Sequence, residues 1–588
     1  MDRPAPVPRW IPAFPLESLA PGSARVLRSD GKQIAVFRPE PDVVRAVDNR
    51  CPHEGYPLAQ GRLLGGRVLM CAWHNFTFHL DTGHCLAGDE RVRPYPTRVV
   101  EGSVEVDVAD PDPAAAVPGL LESLDEGLLE RRLGQVARDV VRLLEAGVAP
   151  EELLLRAASF DSGRGEFGMG HAAAVATDVL PMLERYEGVR AALPILQVMD
   201  VASQPNVRRP PRPSFEALDP GPDSCAAGET LRAHAEAMNL PKAEGLLRGA
   251  LAAGEDREVV ERWLFALCCD HLIGFGHGLI YQIKVFDLLD RLGWERADEI
   301  LPGHLAQVVL FPREECIPTH AALARFLDAV DTELPRWTVE SVRRDFAPDE
   351  RQDFVTEVME GGKQRPLEAV ARALEAGVAP SALARALVQA AAERLLRFDV
   401  AVDADPALQE GWLDVTHVFT YASAVRQALE RFPDPRALRL LFFAAWFVRR
   451  GAALDRSPAL PRADREAATA SLDEVDAAVA ARRGDEAARL AASHLEGGGD
   501  PARLRARLED RILADHGTRP IVVAHQIKLL AAGFDEAPAQ GLAAERWLPV
   551  CAAVRFLASP VRERPVGGLV EEAIRFVSEG KSPRRLTP

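Results

Sequence analysis

The sequence has few of the features that mark secreted, membrane-spanning or nucleic-acid-binding proteins. Eight cysteines in 588 residues are too few for a disulfide scaffold. The longest apolar run, Leu440–Val448, is far shorter than the ~20 residues that span a bilayer, and the opening residues lack a signal-peptide core. The net charge is −17 without a long basic run. We therefore expect a cytoplasmic protein that binds neither nucleic acid nor membranes, and its oligomeric state stays open.

The composition and the hydrophobic periodicity of the chain change near residue 110. Before it, β-branched residues alternate with polar ones in residues 33–39, 43–48 and 97–108, as in short strands. After it, Ala, Leu, Arg and Glu dominate, and apolar residues recur at helical spacing, for example in 128–147 and 367–377. A chain of 588 residues is also too long for one core. We predict a multidomain protein with an all-β domain over residues 9–110 and a large all-α domain over residues 118–575.

The helical part contains a repeated heptapeptide. LEAGVAP occurs at residues 144–150 and again at 374–380. Each copy is followed by two histidines in apolar surroundings, His171 and His277 in the first half and His417 and His525 in the second. The members of a pair are 106 residues apart in the first half and 108 in the second. This pattern predicts an internal two-fold duplication, with halves of about 118–330 and 345–575.

The N-terminal part carries two cysteine–histidine pairs at short spacing. Cys51-x-His53 is followed after seventeen residues by Cys71-x-x-His74. Two cysteines on one iron and two histidines on the other are the ligands of a Rieske centre. A zinc site of two cysteines and two histidines is the plainer alternative, which the flanking strands and the Cys-x-His spacing disfavour. Over about 100 residues the sequence resembles Rieske ferredoxins and oxygenase Rieske domains, and the resemblance implies a [2Fe–2S] cluster on these four residues.

The same resemblance bears on where the electrons come from. High-potential Rieske proteins add a disulfide between the two loops, but here the nearby positions are Tyr56 and Trp73, so we expect the lower-potential, ferredoxin-like kind. No Gly-x-Gly-x-x-Gly fingerprint follows a strand, which argues against a built-in nicotinamide or flavin site. We therefore expect an external reductase or ferredoxin to act as electron donor.

The four repeat histidines are the candidates for a second metal site. Imidazoles that converge from facing helices can bind iron, copper or zinc, whereas a single histidine on an apolar helix is usually a core residue. Lys528 follows His525 by one helical turn, and a buried lysine that loses its charge can take up carbon dioxide as a carbamate. The register leaves Lys284 as a second candidate lysine, and His271 and His516 as alternatives to His277 and His525.

The stretches FGHGLIYQIKVFDLL (275–289), DVTHVFTYASAVRQAL (414–429) and AHQIKLLAAGF (524–534) resemble the questin oxidase-like family. This resemblance implies an oxygenase of the Baeyer–Villiger or ring-cleaving type that acts on aromatic polyketides. It also implies a mononuclear non-haem iron held by histidines and a carboxylated lysine, here His171, His277, His417, His525 and Lys528. The substrate would be small, apolar and aromatic, with O2 as co-substrate. Phe275, Phe419, Tyr421 and Trp412 are candidates for the wall of its pocket.

Two other functions remain open at this point. A conventional Rieske oxygenase would hold iron with two histidines and one carboxylate, but its catalytic domain is built on a large antiparallel sheet, and residues 118–575 show little strand pattern. A non-catalytic electron carrier with a helical scaffold would leave the four histidines as core residues. Two irons per chain would fit the carrier, and a third, mononuclear metal would fit the oxygenase.

Overall fold

The computed structural model describes residues 7–86, 90–339, 343–404, 411–456, 469–514, 519–541 and 545–560. These residues form two compact units. The first unit contains the chain up to Leu153 together with Gly188–Ala192, and the second contains Leu154–Glu187 and the chain from Leu193 onward.

The first unit is built mainly from short antiparallel strands. Its ten strands are β1 (Trp10–Pro15), β2 (Ala24–Ser29), β3 (Lys32–Glu40), β4 (Val43–Asp48), β5 (Arg62–Leu64), β6 (Val68–Met70), β7 (Thr77–His79), β8 (Pro94–Tyr95), β9 (Thr97–Val100) and β10 (Ser103–Asp107). They form three sheets, in the orders β1-β10-β9, β2-β3-β4-β8 and β5-β6-β7. Every predicted strand segment is confirmed, and Glu101 and Gly102, both at positive φ, form the turn that joins β9 to β10.

Alternating side chains of the central strands form the core of the first unit. Ala35 and Phe37 of β3 pack with Cys51, Cys71 and the residues around them in one buried cluster. The intervening Ile34 and Val36 of β3 belong to a second cluster. Successive side chains of a strand point to opposite faces, so β3 divides the two cores. One of these cores contains both cysteines of the predicted cluster site.

A helical hairpin completes the first unit, and here one prediction is wrong. Residues 128–147 do not form a single helix, because α1 (Val117–Leu129) ends and α2 (Leu133–Glu145) begins within them. Arg131 takes a φ of 52°, and the Arg132 N–H donates to the Gly127 carbonyl at 2.8 Å, which closes the end of α1. The two helices then pack against each other. The helical periodicity runs on through this turn, so the pattern alone could not reveal it.

Beyond this hairpin the described chain is helical. The helices up to residue 339 are α3 (Pro150–Ser162), α4 (Ala172–Leu183), α5 (Ala192–Ser203), α6 (Ser224–Glu236), α7 (Leu240–Ala253), α8 (Arg257–Asp270), α9 (His277–Leu292), α10 (Ala297–Leu310), α11 (Ala321–Val330) and α12 (Leu334–Val339). The later ones are α13 (Pro348–Glu360), α14 (Arg365–Glu375), α15 (Pro380–Arg397), α16 (Trp412–Arg431), α17 (Arg439–Arg450), α18 (Leu472–Ala480), α19 (Gly484–Glu496), α20 (Pro501–Leu513), α21 (Pro520–Glu536) and α22 (Leu548–Leu557). The predicted fold class, an N-terminal β domain followed by a large helical region, is confirmed.

The two LEAGVAP copies make the same turn. Each connects two helices, α2 to α3 and α14 to α15. In both, the glycine has a positive φ, 87° at Gly147 and 75° at Gly377, and the next valine donates its N–H to a carbonyl five residues earlier. The shared geometry follows from the shared sequence. The two-fold duplication and the domain boundaries at residues 110 and 118 stay predictions.

Four helices of the second unit form a closed ring. α4 packs against α9, α9 against α16, α16 against α21, and α21 against α4. Most side chains of these four helices are buried, including polar side chains such as Gln282 and Gln526. α9, α16 and α21 each contain one of the four repeat histidines, and His171 directly precedes α4. In the part of the chain that the structure describes, no helix is long and apolar enough to cross a membrane.

Candidate metal centres

The two cysteine–histidine loops of the first unit have matching backbones. The Cys51 N–H donates to the Tyr56 carbonyl at 2.9 Å, and the Cys71 N–H donates to the Phe76 carbonyl at 2.7 Å. Each cysteine carbonyl in turn accepts from the residue four positions on, Gly55 or Asn75, which has a positive φ of 77° or 60°. These tight loops face each other, and the His53 and His74 ring centroids lie 4.9 Å apart.

The chemistry of the four side chains fits a [2Fe–2S] cluster. Cys51 and Cys71 are buried, and burial, with a smaller effect of the nearby Cys71, raises the pKa of the Cys51 thiol to about 11. Two neighbouring buried thiols are stabilised as thiolates when both bind the same iron of a cluster. Two histidines on the more exposed side complete the donor set of a Rieske centre. His53 is further held by stacking on Phe76, with centroids 4.4 Å apart.

Helix α2 braces the first of these loops, which the sequence did not reveal. Arg142 donates to the Pro52 carbonyl at 3.1 Å, between the two ligands of the loop. Its guanidinium also contacts Glu90, whose buried carboxylate accepts two hydrogen bonds from Arg138 at 2.7 and 2.8 Å. An arginine more than eighty residues from the loop carries no local signal of this role.

In the second unit, the imidazoles of the four repeat histidines lie next to one another in a ring. His171 precedes α4, His277 begins α9, and His417 and His525 lie in α16 and α21. Their ring centroids follow the order of the helices: 5.1 Å from His171 to His277, 4.4 Å on to His417, 4.7 Å on to His525 and 5.1 Å back to His171. One nitrogen each of His171, His417 and His525 lies within 4.8 Å of the others. The ring of four imidazoles is a candidate metal centre.

Backbone carbonyls fix the direction of two of these rings. His277 Nδ1 lies 2.6 Å from the Gly274 carbonyl, and His525 Nδ1 lies 2.7 Å from the Ile521 carbonyl. Because a carbonyl only accepts, each Nδ1 carries the proton, and each Nε2 presents its lone pair to the centre. His525 Nε2 lies 2.9 Å from His417 Nε2. Two ring nitrogens this close need a proton or a cation between them.

The electrostatics keep these imidazoles neutral. Burial lowers the pKa of His277 to about 3 and, with the neighbouring Lys528, lowers the pKa of His171 and His525 well below the usual value. The pKa of His417 is also lowered well below its usual value, by burial and then by the other rings. Neutral imidazole is the form that binds metals. His171 Nε2, His277 Nε2 and His417 Nδ1 have no hydrogen-bond partner among the described residues.

Lys528 is one turn from His525 and is 2% exposed. The pKa of its ammonium is lowered to about 7, chiefly by burial; Asp178 opposes this shift, and Lys284 adds to it. Its Nζ has no hydrogen-bond partner among the described residues. Both lysines line a small cavity of about 10 Å³. Lys284 differs from Lys528 because it donates to the Asp178 carboxylate at 2.6 Å.

The alternative histidines lie elsewhere. His271 contacts two carboxylates, with Nδ1 2.5 Å from Glu315 and Nε2 2.8 Å from Glu236. His516 lies outside the described residues. The structure therefore brings together His277 and not His271 with the other repeat histidines.

The turn before His277 is strained. Gly274, Phe275 and Gly276 have positive φ values of 45°, 57° and 82°. Phe275 stands with its ring centroid 6.1 Å from that of His417, and a left-handed conformation at a bulky residue marks a turn that the surroundings hold in place. This turn supplies the Gly274 carbonyl that anchors His277.

Comparison with known families and proteins yields matches to short parts of the chain. Residues 9–99 match the family described as the Rieske [2Fe-2S] domain. A cholesterol 7-desaturase from Hemicentrotus pulcherrimus is 34% identical over 77 residues, which cover 13% of this chain and 16% of that protein. A 4beta-methylsterol monooxygenase from Methylococcus capsulatus is 32% identical over 111 residues, covering 17% of this chain and 30% of the relative.

A solved ferredoxin of carbazole 1,9a-dioxygenase from Nocardioides aromaticivorans is 26% identical, with a TM-score of 0.16, and the match covers 17% of this chain and 96% of that one. The match to the desaturase and the match to the monooxygenase each span less than a third of the relative's length. Residues 9–99, which match the family model, contain both cysteine–histidine loops, with buried cysteines and facing imidazoles. Residues 9–99 of this chain are therefore a Rieske [2Fe–2S] domain.

Proposed function

We propose that this chain is a Rieske-fused, non-haem iron oxygenase of the questin oxidase-like kind. The observation that carries the proposal is the ring of four neighbouring imidazoles supplied by α9, α16, α21 and the residue before α4. Imidazole suits iron, copper and zinc, and an electron-carrying domain in the same chain favours a metal with redox chemistry, which zinc lacks. Relatives of that domain are named as a desaturase and a monooxygenase, which supports an oxidoreductase.

The residues of the second unit would hold the metal as follows. His277 and His525 offer Nε2, because their Nδ1 protons are donated to backbone carbonyls. His417 offers the nitrogen that lies 2.9 Å from His525 Nε2, and His171 offers its unpartnered Nε2. When bound, a mononuclear iron would supply dioxygen activation with single electrons that the [2Fe–2S] cluster obtains from an external reductase or ferredoxin.

Lys528 is the proposed fifth ligand. With a pKa of about 7, a large fraction of its side chain is a neutral amine at physiological pH. A neutral amine attacks carbon dioxide, forms an N–C bond and releases one proton, and the product is an anionic carbamate. Lys284 is the weaker candidate, because it is paired with Asp178. Burial lowers the pKa of Lys284, but Asp178 opposes this effect and the net pKa is raised, so the lysine keeps its charge. Removing the amine with Lys528→Ala should weaken metal binding, and a short carboxylic acid such as acetate should restore it.

The surroundings of the four rings favour an apolar, aromatic substrate. The Phe275 ring stacks at 6.1 Å from His417, and the Phe311 ring lies 6.3 Å from His277. Trp412, in contrast, packs against Phe398 and Phe556 in the core. We propose oxidation or oxidative C–C cleavage of an aromatic polyketide-like molecule, of the Baeyer–Villiger or ring-cleaving type.

Metal content tests the proposal. Purified wild-type protein should contain three irons per chain, and electron paramagnetic resonance should show a high-spin ferric signal in addition to the signal of the reduced cluster. His417→Ala should lose the ferric signal and keep the cluster signal. His320→Ala is the control, because His320 is a buried histidine of the same unit that lies outside the ring of four imidazoles and donates Nδ1 to the Glu314 carbonyl at 2.8 Å. Two irons in the wild type, with no third metal, would instead indicate an electron carrier with a helical scaffold.

A further inference from the structure

Asp161 is a buried carboxylate close to the candidate metal centre that the proposed function does not use. It lies in the last turn of α3 and is 1% exposed. Three groups donate hydrogen bonds to it. One carboxylate oxygen accepts the N–H of Gly170 at 2.9 Å and of Ala172 at 3.2 Å, and the other accepts the Asn206 side-chain amide at 2.8 Å. The two backbone donors are the residues on either side of His171.

The backbone around His171 is pinned from several directions. A Cβ placed on Gly170 would lie 3.0 Å from both oxygens of Asp161, so the carboxylate lies directly against this peptide. Met169 donates its N–H to the Gly303 carbonyl at 2.9 Å. A Cβ on Gly168 would meet the Gln307 nitrogen at 2.3 Å. Residues 168–172 are thus held between the end of α3 and α10.

His171 needs this support more than the other rings do. His277 and His525 are each oriented by a hydrogen bond from their own Nδ1. Among the described residues, the His171 ring shows no such bond, and its Nε2 is buried without a partner. The direction of the ring therefore depends on its backbone and on the rings of His277, Tyr281 and His525 that pack against it, and Asp161 holds that backbone on both sides.

We infer that Asp161 is a positioning residue that aims His171 at the centre of the four imidazoles. The inference rests on the proposed function for its metal, but the orientation of the ring is a property of the protein alone. Groups that orient a metal ligand from outside the coordination shell typically change metal affinity by about 10- to 100-fold. Asp161 accepts hydrogen bonds from the peptide groups beside His171 and does not contact its imidazole. The Gly274 carbonyl, in contrast, binds the His277 imidazole directly.

Asp161→Asn is the informative variant. The amide keeps the size of the carboxylate but turns one acceptor into a donor, which then faces either the N–H groups of Gly170 and Ala172 or the side-chain amide of Asn206. We expect the affinity of the full-length protein for Co²⁺ to fall by about 10- to 100-fold, with the cluster absorption unchanged. The matched control is Glu244→Gln, since Glu244 is a fully buried carboxylate of the same unit that pairs with Arg212 and Arg248. This control should lose stability and keep the wild-type metal affinity.

A second measurement separates this inference from the proposed function. In metal-free protein with ¹³C-labelled histidines, Asp161→Asn should shift or broaden the ring signals of His171 and leave those of His525 in place. Gly170→Ala should do the same, because its Cβ would push the backbone away from Asp161, and it serves if Asp161→Asn does not fold. Unchanged His171 signals in either folded variant would overturn the positioning role. A wild type that binds no Co²⁺ would overturn the proposed function, while the ring signals still decide the role of Asp161.

Discussion

The glycine before His277 offers a quantitative test of how tightly the metal centre is built. Gly276 has a φ of 82°, and a Cβ at this position would lie 2.4 Å from Tyr421 Cδ2 and 2.9 Å from Cγ. Gly254, at the end of α7, has a similar φ of 72° but has nothing within 4 Å of such a Cβ. The two glycines share a backbone conformation and differ in the space around them. Comparing Gly276→Ala with Gly254→Ala therefore isolates the steric effect.

The expected magnitudes follow from these contacts. An alanine in the left-handed region costs roughly 1–2 kcal/mol, which applies to both variants. Forcing a methyl group into a packed site costs a further 1–3 kcal/mol, roughly, and this applies only to Gly276→Ala. The difference in the free energy of unfolding between the two variants should thus be about 1–3 kcal/mol. Tyr421 is fully buried in α16 and packs at 6.0 Å from Phe447, so its ring has little freedom to move aside.

Urea unfolding followed by far-ultraviolet circular dichroism measures this difference, because the signal comes mainly from the helical second unit. Gly276→Ala should also weaken Co²⁺ binding, since the same turn supplies the carbonyl that anchors His277. Gly254→Ala should bind Co²⁺ as the wild type does. Equal stabilities of the two variants within about 0.5 kcal/mol would refute the reasoning, because Tyr421 would then yield to the methyl group without cost.

Two further predictions concern groups outside the candidate ligands. Burial lowers the pKa of His304 to about 3 from an ordinary 6.5, so the stability it contributes is present above pH 6.5 and is lost as the pH falls towards 3. Between pH 7.5 and 5.5, protonation of His304 in the unfolded chain should lower the free energy of unfolding by about 1.4 kcal/mol. Urea titrations at the two pH values should show a pH dependence that is smaller by this amount in His304→Gln than in the wild type. An equal pH dependence in the two proteins would contradict the lowered pKa. Arg142→Met leaves the Pro52 carbonyl without its arginine donor and the buried Asp139 without its cation, so the first unit should lose about 1–3 kcal/mol. Thermal bleaching of the cluster absorption should then occur at a lower temperature than in the wild type, whereas an unchanged temperature would show that the brace carries little energy.

Much of the first unit could be predicted because its site is local in sequence. Cys51 and His53, and Cys71 and His74, each occupy a single tight loop, so their spacing alone places both side chains on the same side of the loop. The strand segments predicted from alternation, 33–39, 43–48 and 97–108, coincide with β3, β4 and the β9–β10 hairpin, whereas β5, β6 and β7 lie outside the predicted segments. The helix bounds do not follow from the sequence pattern alone. The apolar periodicity continues through Arg131, and the break there depends on the left-handed conformation of that residue.

The sequence by itself determined the cluster loops, the division into a strand-rich and a helical part, and four histidines at matching intervals. Only the tertiary structure decided that these histidines meet, because α4, α9, α16 and α21 come together by packing and no local spacing encodes which helices will be neighbours. The tertiary structure also decided that His277 and not His271 joins the ring of imidazoles. It likewise placed Asp161 and the Gly274 carbonyl where they support His171 and His277. Spacing is enough where both partners share one loop, whereas a site assembled from distant helices depends on the free energy of the whole core.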